Sequence, residues 1–275
     1  MSIREEIRQH YLEGKEAERL AAGQGELERV RTQSLLGRFL PPTPAVVLDV
    51  GGGAGVHAIP LAAQGYLVHL IDPVELHVEQ ARVAAESAGV SLTSVTVGDA
   101  RKLEFEDASA DAVLMFGPMY HLVERAERME ALREARRALR PQGVLLAVGI
   151  SRFASLIDGV GQGFIADPVF RGIVAGDLAT GRHENPGKHP HYFTTAYFHK
   201  PEELCDEIQE AGFGGAQVLA VEGPVWSAAG FEAAWADPAQ REALLGYLEK
   251  VEREPSVMGA SAHFIAVGRK QESGS

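Results

Sequence analysis

The chain has 275 residues, of which 45% are hydrophobic and 23% are charged, and its net charge is −12. This length and apolar content allow one elaborated domain with a full buried core. The negative charge disfavours nucleic acid as a partner, because nucleic-acid binding draws most of its affinity from basic side chains on phosphates. No stretch approaches the roughly 18 uninterrupted apolar residues of a membrane helix, so a membrane partner is not expected either.

The cysteine content and the N-terminal sequence bear on the compartment. Cys205 is the single cysteine, which excludes an internal disulfide and a zinc site built from cysteines. The first eight residues are charged and lack the apolar segment of a secretory signal. Both features favour a cytoplasmic protein.

Residues 1–44 form the first predicted unit. The pattern predicts two helices within residues 1–37, with a break at residues 22–25, where two glycines occur. Prolines at positions 41, 42 and 44 end the unit.

Strand and helix patterns alternate from residue 45 to residue 150. Short aliphatic runs bounded by Gly or Pro are typical of strands buried on both faces. The alternation predicts an α/β fold with a doubly wound, mostly parallel sheet and right-handed crossovers. The predicted strands cover residues 45–50, 67–71, 92–97, 112–116 and 143–150, and the predicted helices cover residues 55–64, 74–88 and 124–140. In the last of these helices arginines alternate with glutamates, which indicates a solvated face with ion pairs.

The alternation stops at residue 151. Residues 151–200 are rich in glycine and proline, and a connection of this length is uncommon in a compact domain unless it serves as a lid or binding element. We therefore predict a substrate cap over residues 151–200. Residues 201–270 return to the same sheet with strands at 216–222 and 261–268, which brings the predicted number of strands to seven. Residues 271–275 are expected to be a disordered tail.

A glycine-rich turn follows the first strand, with the sequence Asp49-Val50-Gly51-Gly52-Gly53-Ala54-Gly55. Glycines lack a β-carbon, so the backbone can turn sharply and a ligand can approach it closely. The dinucleotide fingerprint requires glycines at its first, third and sixth positions. Counted from Gly51, the sixth position is Val56, and the spacing therefore argues against a dinucleotide.

Two aspartates follow the next two predicted strands. Asp72 comes after the second strand, where its carboxylate could accept hydrogen bonds from both hydroxyls of a ribose. Asp99 comes after the third strand, where it could accept from the amine of an adenine. Ligands of open α/β sheets bind at this carboxyl edge, so the two acids and the glycine turn together predict an adenosyl site.

Five segments in the right order resemble the class I S-adenosylmethionine (SAM) dependent methyltransferases. VVLDVGGGAG is similar to their first motif, LIDP to the acidic loop after strand two, and GDAR to the adenine loop. DAVLMFGPMYHL is similar to the strand-four motif and LRPQGVLL to the strand-five turn. The resemblance covers residues 45–150. It implies the seven-stranded Rossmann-like methyltransferase fold, a SAM cofactor and a site with room for an aminocarboxypropyl chain instead of a pyrophosphate.

The resemblance also implies which residues bind the cofactor. They belong to the glycine turn, the two acidic loops and the end of strand four, and are Asp49, Gly51, Gly53, Asp72, Pro73, Asp99, Ala100, Phe116 and Gly117. N-terminal helices close over the cofactor in many such enzymes, so Tyr11 and the pair Arg31 and Thr32 are expected to cover the site, with Tyr11 also reaching the substrate.

One departure from a related pattern bears on the acceptor. Enzymes that methylate amino groups of DNA bases carry Asp, Asn or Ser before Pro-Pro-Tyr or Pro-Pro-Phe at the end of strand four. This chain has Phe116-Gly117-Pro118-Met119-Tyr120, and Gly117 has no side chain to hold such an amine. The departure disfavours DNA bases as acceptors.

The remaining candidates concern the methyl acceptor. His121 lies just beyond the fourth strand beside Tyr120 and is the candidate general base, with a satisfied structural histidine as the alternative. In the cap, His191, Tyr192 and Tyr197 belong to a polar and aromatic group of the sort that lines small-molecule pockets. The cap histidines lack a carboxylate or cysteine at metal-binding spacing, so no metal is predicted.

These residues predict a SAM-dependent methyltransferase that acts on an N, O or C atom of a small molecule by in-line transfer. Two alternatives remain open at this point. One is a nucleotide- or NAD-linked enzyme of Rossmann-like fold, and the other is a non-catalytic regulator that binds SAM.

Overall fold

A mixed β-sheet lies at the centre of the fold. The computed structural model describes residues 6–7, 20, 22–189 and 191–271. The strands are Val46–Val50 (β1), Leu67–Asp72 (β2), Ser94–Val97 (β3), Ala110–Met115 (β4), Leu139–Ser151 (β5), Arg182–His183 (β6), Ala196–His199 (β7), Phe213–Ala220 (β8) and His263–Lys270 (β9). Seven of them lie side by side in the order β3-β2-β1-β4-β5-β9-β8. The strands β1 to β5 are parallel, and β9 runs antiparallel to both β5 and β8.

Helices cover both faces of this sheet. They are Gly23–Phe39 (α1), Ala58–Ala63 (α2), Glu75–Ser87 (α3), Pro118–His121 (α4), Arg125–Ala138 (α5), Ala154–Gly161 (α6), Pro168–Thr180 (α7), Pro201–Glu210 (α8), Phe231–Ala236 (α9), Pro238–Val251 (α10) and Pro255–Met258 (α11). None of the helices in the described part of the chain combines the length and the apolar character needed to cross a bilayer.

The strands bury side chains on both faces, as the apolar runs in the sequence predict. On β1, Leu48 and Val50 join the hydrophobic cluster that contains α5 and α8, while Val47 joins the opposite cluster, which contains α1 and α2. Alternate residues of a strand point to opposite faces, so a parallel strand covered on both sides needs an unbroken apolar run. The α/β class and the doubly wound, mostly parallel arrangement of seven main strands are confirmed.

The core elements lie within a few residues of their predicted bounds, with one omission. The helix α4 was not predicted, because four residues are too few for a helical period to be recognised in the sequence. This helix turns the chain directly beyond the end of β4, and it therefore decides where Tyr120 and His121 lie.

Residues 151–200 contain more regular structure than a cap built from a loop would have. They form α6, a 3₁₀ turn at Phe164–Ala166, α7 and the β6–β7 hairpin. The strand β7 pairs with Ile150 and Ser151 at the end of β5, beyond the last residue of β5 that pairs with β4. The segment thus ends by extending the sheet, and its role as a substrate cap stays a prediction.

The helix α1 begins at Gly23, in agreement with the predicted break, and packs across the C-terminal part of the chain. Leu27 contacts the cluster formed by Trp226, Trp235 and Leu248. The fully buried Arg31 donates to the carbonyl of Val221 at 3.1 Å and to Glu252 at 2.7 Å. These contacts place α1 beside the carboxyl edge of the sheet, where the glycine turn ends β1.

Candidate active site

The glycine turn adopts a backbone that side chains disfavour. Gly51, Gly53 and Gly55 have φ values of +78°, +54° and +87°. A β-carbon on Gly51 would lie 2.8 Å from Cδ of Pro118, whereas a β-carbon on Gly53 would meet no described atom within 4 Å. Gly51 is therefore needed for the close approach of the turn to α4, and Gly53 leaves open space above the turn.

Asp49 is the most unusual acid of this region. Its side chain is 1% exposed, and neither carboxylate oxygen has a hydrogen-bond partner among the described residues. Burial, reinforced by the negative charge of Asp72, raises the pKa of Asp49 to about 7. A buried carboxylate without a donor is costly, so its place at the foot of the glycine turn points to a donor supplied by a ligand.

Asp72 ties the glycine turn to the next loop. One of its oxygens accepts from the backbone N–H of Gly53 at 2.9 Å, and the other accepts from Val74 at 2.9 Å and contacts Nδ1 of His77 at 3.1 Å. A carboxylate has about four acceptor positions, so Asp72 retains capacity for a further donor.

Asp99 is held by the arginine two residues later. The guanidinium of Arg101 spans both of its oxygens, with Nη2 to Oδ2 at 2.6 Å, and also pairs with Glu127. Burial by itself raises the pKa of Asp99, but the hydrogen bonds and charge of Arg101 outweigh it and lower the pKa. Asp99 is therefore a fixed anion at the rim of the site.

The end of β4 supplies an aromatic wall. Phe116 packs edge-on against His57, with ring centroids 5.3 Å apart. The ring of Tyr120 contacts that of His121 at 4.5 Å, and its hydroxyl donates to the carbonyl of Phe116 at 3.1 Å. Phe193, from the segment after β6, stacks over His121 at 6.1 Å.

Apart from Phe193, these groups line one cavity at the carboxyl edge of the sheet, which we call the cofactor cavity. Every residue predicted to bind the cofactor lies in its wall, namely Asp49, Gly51, Gly53, Asp72, Pro73, Asp99, Ala100, Phe116 and Gly117. Tyr120 and His121 line it as well. The structure therefore brings together residues from four separate segments of the chain.

Further residues of the cavity wall were not predicted. The polar ones among them include Glu28, His57, Arg101 and His263. His57 could have been found, because it follows the glycine turn directly; burial lowers its pKa to about 4. Glu28 and His263 lie more than 200 residues apart in the chain, and no local pattern links them.

Several residues predicted to contact substrate lie elsewhere. Tyr192 packs against Phe170 and donates to Asp167 at 2.6 Å, while the ring of Tyr197 stacks under the guanidinium of Arg128 at 3.9 Å. Neither tyrosine lines the cofactor cavity or the cavity beside it, and their contact with substrate stays a prediction. His191 is exposed and lines neither the cofactor cavity nor the cavity beside it.

The predicted N-terminal contacts divide in the same way. Thr32 lines the cofactor cavity, but Arg31 does not, because its guanidinium is engaged by Val221 and Glu252. Tyr11 lies outside the described residues.

Comparison with known protein families identifies the kind of domain that contributes to this cavity. Residues 47–143 match the family model described as a methyltransferase domain. This stretch is a class I SAM-dependent methyltransferase domain. The match begins on β1 and ends on β5, and thus contains the glycine turn, both acidic loops and α4.

Relatives extend the similarity somewhat beyond the domain. The chain is 32% identical over 137 residues to a ubiquinone/menaquinone biosynthesis C-methyltransferase of Caulobacter sp. strain K31, which covers 46% of this chain and 53% of that protein. It is 35% identical over 106 residues to a ubiquinone biosynthesis O-methyltransferase of Methylocella silvestris, covering 38% and 40% respectively. The chain thus spans about half the length, or less, of these curated relatives.

Solved structures share the fold over nearly the whole chain. A SAM-dependent methyltransferase of Methanosarcina mazei aligns with a TM-score of 0.58 at 18% identity, over 87% of this chain and 98% of that one. A SAM-dependent methyltransferase of Thermotoga maritima, described as a possible histamine N-methyltransferase, aligns with a TM-score of 0.58 at 20% identity, over 96% and 99%. At these identities the similarity establishes the shared fold.

The residues of the methyltransferase domain fit SAM, the cofactor of this family. SAM carries an ammonium group, and the carboxylate of Asp49 has no donor within the described part of the chain. The open space above Gly53 accommodates a chain close to the backbone. Asp72 and Asp99 provide acceptors for hydroxyl and amine donors at the same edge.

Proposed function

We propose that this chain is a SAM-dependent methyltransferase that transfers a methyl group in line to an N, O or C atom of a small molecule. The observation that carries the proposal is the donor-seeking Asp49 beneath the glycine turn, inside a cavity that also holds Asp72 and Asp99. The relatives from Caulobacter and Methylocella are named for ubiquinone biosynthesis, which supports a small-molecule acceptor.

The chain's own residues would hold the cofactor at three places. Asp49 and the backbone of Gly51 to Gly53 would hold its aminocarboxypropyl end. Asp72 would accept from the ribose hydroxyls, and Asp99, kept anionic by Arg101, would accept from the adenine amine. Phe116 would pack along the remaining apolar surface.

SAM supplies a methyl group that is already activated by the positive sulfonium. The protein therefore contributes by excluding water and by placing the acceptor atom in line with the transferring methyl. Tyr120 and His121 line the cofactor cavity, and the ring of Phe193 stacks over that of His121. In this proposal, Tyr120 and His121 contact the acceptor, and His121 stays a candidate base.

A binding titration separates this proposal from the other two functions considered. Calorimetry with SAM, S-adenosylhomocysteine and NAD is expected to give micromolar binding of the two adenosyl-sulfur ligands, a typical order for a cofactor site, and no binding of NAD. Tighter binding of NAD would overturn the proposal. Product mass spectrometry with labelled SAM and a metabolite panel then distinguishes an enzyme from a regulator, since a regulator yields no methylated product.

A further inference from the structure

A second cavity adjoins the cofactor cavity. The two cavities share Glu28, Tyr120 and His263 in their walls. A molecule in the second cavity would thus lie beside a cofactor bound in the first. The second cavity is bounded by α1, by the start of α6 and by the ends of β5 and β9.

The wall of the second cavity is acidic and aromatic. Three carboxylates line it, from Glu28, Asp158 and Glu222. Among its described lining residues there is no lysine or arginine. Aromatic rings complete the wall, from Tyr120, Phe193, Phe198 and Trp226. Carboxylates and aromatic faces both attract cations, so this wall favours a positively charged organic molecule over a neutral or anionic one.

A histidine–glutamate pair lies at the junction of the two cavities. His263 Nδ1 lies 2.7 Å from Oε1 of Glu222, and 3.7 Å from Oε2 of Glu28. The backbone N–H of His263 and the hydroxyl of Ser261 both donate to Oε2 of Glu222, at 2.9 and 2.8 Å. Glu222 is 2% exposed. Its carboxylate is fixed in orientation because these three groups donate to it.

This geometry sets the tautomer of the histidine. When Nδ1 donates to the carboxylate of Glu222, the lone pair of the neutral ring lies on Nε2. A carboxylate that orients an imidazole in this way is the arrangement of a general base whose conjugate acid is stabilised by its partner. His121 contacts Tyr120 and Phe193 through its ring.

We infer that the second cavity binds a small organic amine as the methyl acceptor, and that His263, oriented by Glu222, removes its proton. The inference rests on the proposed methyltransferase function and names the acceptor class and the base. Glu28 and Asp158 attract the ammonium form into the cavity. Glu222 is a positioning residue, and His263 is the catalytic base.

The reaction balances with no additional reactant. The ammonium form of the acceptor gives one proton to Nε2 of His263 and becomes a neutral amine. Its nitrogen lone pair then forms the new N–C bond with the methyl carbon while the S–C bond breaks, and that electron pair stays on sulfur. The products are the N-methylated ammonium ion and S-adenosylhomocysteine, and His263 returns its proton to solvent.

Binding to the full chain loaded with S-adenosylhomocysteine tests the acceptor class without turnover. The probes are three amine and alcohol pairs of equal shape: phenethylamine with 2-phenylethanol, cyclohexylmethylamine with cyclohexylmethanol, and butylamine with butanol. We expect at least one amine to bind tenfold or more tightly than its alcohol, and Glu28→Gln to reduce that preference at least threefold. Equal binding within all three pairs would overturn the inference. Failure of S-adenosylhomocysteine itself to bind would instead contradict the proposed function.

The role of His263 is tested with the amine that binds most tightly. His263→Gln is expected to lower kcat at least 100-fold, the usual range for loss of a general base, while amine binding changes less than threefold. His189→Gln, at an exposed position outside both cavities, is the matched control and is expected to retain wild-type kcat. The assignment would be contradicted if His263→Gln lost amine binding together with kcat, or if its kcat were unchanged. It would also be contradicted if the wild type produced no methylated amine.

The positioning role of Glu222 is tested by the pH dependence of the rate, because a purely structural contribution of this residue would not change that dependence. Among the described residues, the charged groups that face His263 include Glu28 from α1 and Glu222 from the segment after β8, and Asp158 of α6 lines the same cavity. Glu222→Gln removes one negative charge, so the acid limb of the pH–rate profile is expected to move to lower pH. A uniform loss of rate at every pH would show a structural role only.

A rate that requires Mg²⁺ and disappears with EDTA would assign Glu28, Glu222 and His263 to a metal site and overturn the inference.

Discussion

At the scale of single residues, the site contains a buried acceptor that needs a hydrogen-bond donor and an open space that a ligand could fill. Among the residues that the structure describes, none donates a hydrogen bond to Asp49 and none fills the space above Gly53, and Gly51 permits the close approach of α4. Each of these properties is a local departure from what a stable fold requires by itself. Such departures are expected where a structure is shaped for function.

The raised pKa of Asp49 predicts a pH-dependent cofactor affinity. Its carboxyl has a pKa of about 7 in the folded protein, and the ionised form is the one that attracts an ammonium group. The affinity for S-adenosylhomocysteine is therefore expected to rise roughly tenfold between pH 6 and pH 8, as the ionised fraction increases. Calorimetry across this range measures the slope.

Asp49→Asn provides the control for this prediction. The variant is expected to bind more weakly at pH 8 and to show a flat pH profile. Because the pKa of Asp49 is raised on folding, its ionisation opposes folding, and the free energy of unfolding falls as pH rises from about 4 to 7. The asparagine variant without ligand should thus be more stable than the wild type at pH 8. A flat wild-type affinity profile would remove Asp49 from the cofactor site.

A pair of glycine variants tests the backbone of the turn. Gly51→Ala forces a β-carbon into the left-handed region and to within 2.8 Å of Pro118, and should cost about 1–3 kcal/mol in the free energy of unfolding. Gly37→Ala, at an exposed position of α1 with open space around it, should stabilise by about 0.5–1 kcal/mol. Urea denaturation of both variants measures the difference. Equal stability of the two would show that the turn tolerates a side chain.

At the scale of secondary-structure elements, the parallel core could be predicted because each element carries its own periodic signal. The runs that became β1, β2, β4 and β5 are buried on both faces, and Asp72 and Asp99 occur where strands end. The shorter elements α4, β6 and β7 could not be predicted, because two to four residues do not define a period. The predicted substrate contacts of Tyr192 and Tyr197 could not be judged from the sequence, because an aromatic cluster looks alike in sequence whether it lines a pocket or packs the cap.

The helix α5 contains a buried charge that its sequence pattern did not predict. Its arginines were predicted to pair with acids on a solvated face, and Arg125 and Arg137 do so. Arg128, however, is 2% exposed. It spans both oxygens of Glu207 on α8, donates to the carbonyls of Leu122 and Val123, and covers the ring of Tyr197. One residue therefore joins α5, α8, β7 and the turn after α4.

Replacement of Arg128 should destabilise the fold far more than replacement of its exposed neighbour. Arg128→Leu leaves the carboxylate of Glu207 buried without its main partner and should cost about 3–5 kcal/mol in the free energy of unfolding. Arg125→Leu removes an ion pair with Glu210 in which both side chains are half-exposed, and should cost about 0–1 kcal/mol. Guanidinium denaturation at pH 7 makes the comparison, and similar losses in the two variants would show that the buried pair contributes no more than the exposed one.

The same pair predicts a loss of stability in acid. Burial by itself raises the pKa of Glu207, but hydrogen bonds and charges from His199 and Arg128 outweigh burial and lower the pKa to about 2. Because the pKa of Glu207 is lower in the folded than in the unfolded protein, its ionised form stabilises the fold at pH values above about 4.5. This contribution to the free energy of unfolding is lost as the pH falls from about 4.5 towards 2.

At the scale of the whole molecule, the cofactor cavity lies where distant parts of the chain meet. Its wall contains residues of α1, of the loops after β1 to β4, and of the C-terminal segment, including Glu28, Val221 and His263. The methyltransferase domain that residues 47–143 match therefore contributes only part of the wall. The N- and C-terminal residues could not be assigned from the sequence, because their proximity depends on the packing of α1 against Trp226, Trp235 and Leu248.

This arrangement predicts that cofactor binding stabilises the protein as a unit and orders α1. S-adenosylhomocysteine at a hundred times its dissociation constant should add about 2.7 kcal/mol to the free energy of unfolding and raise Tm by about 5–10 °C. In hydrogen–deuterium exchange, amides of α1 near Glu28 and Thr32 should become more protected, whereas those of α10 near the exposed Tyr247 should not change. NAD at the same concentration is the control and should leave both Tm and exchange unaltered. Protection confined to the loops after β1 to β3 would mean that the cofactor contacts the matched domain alone and that α1 takes no part in closing the site.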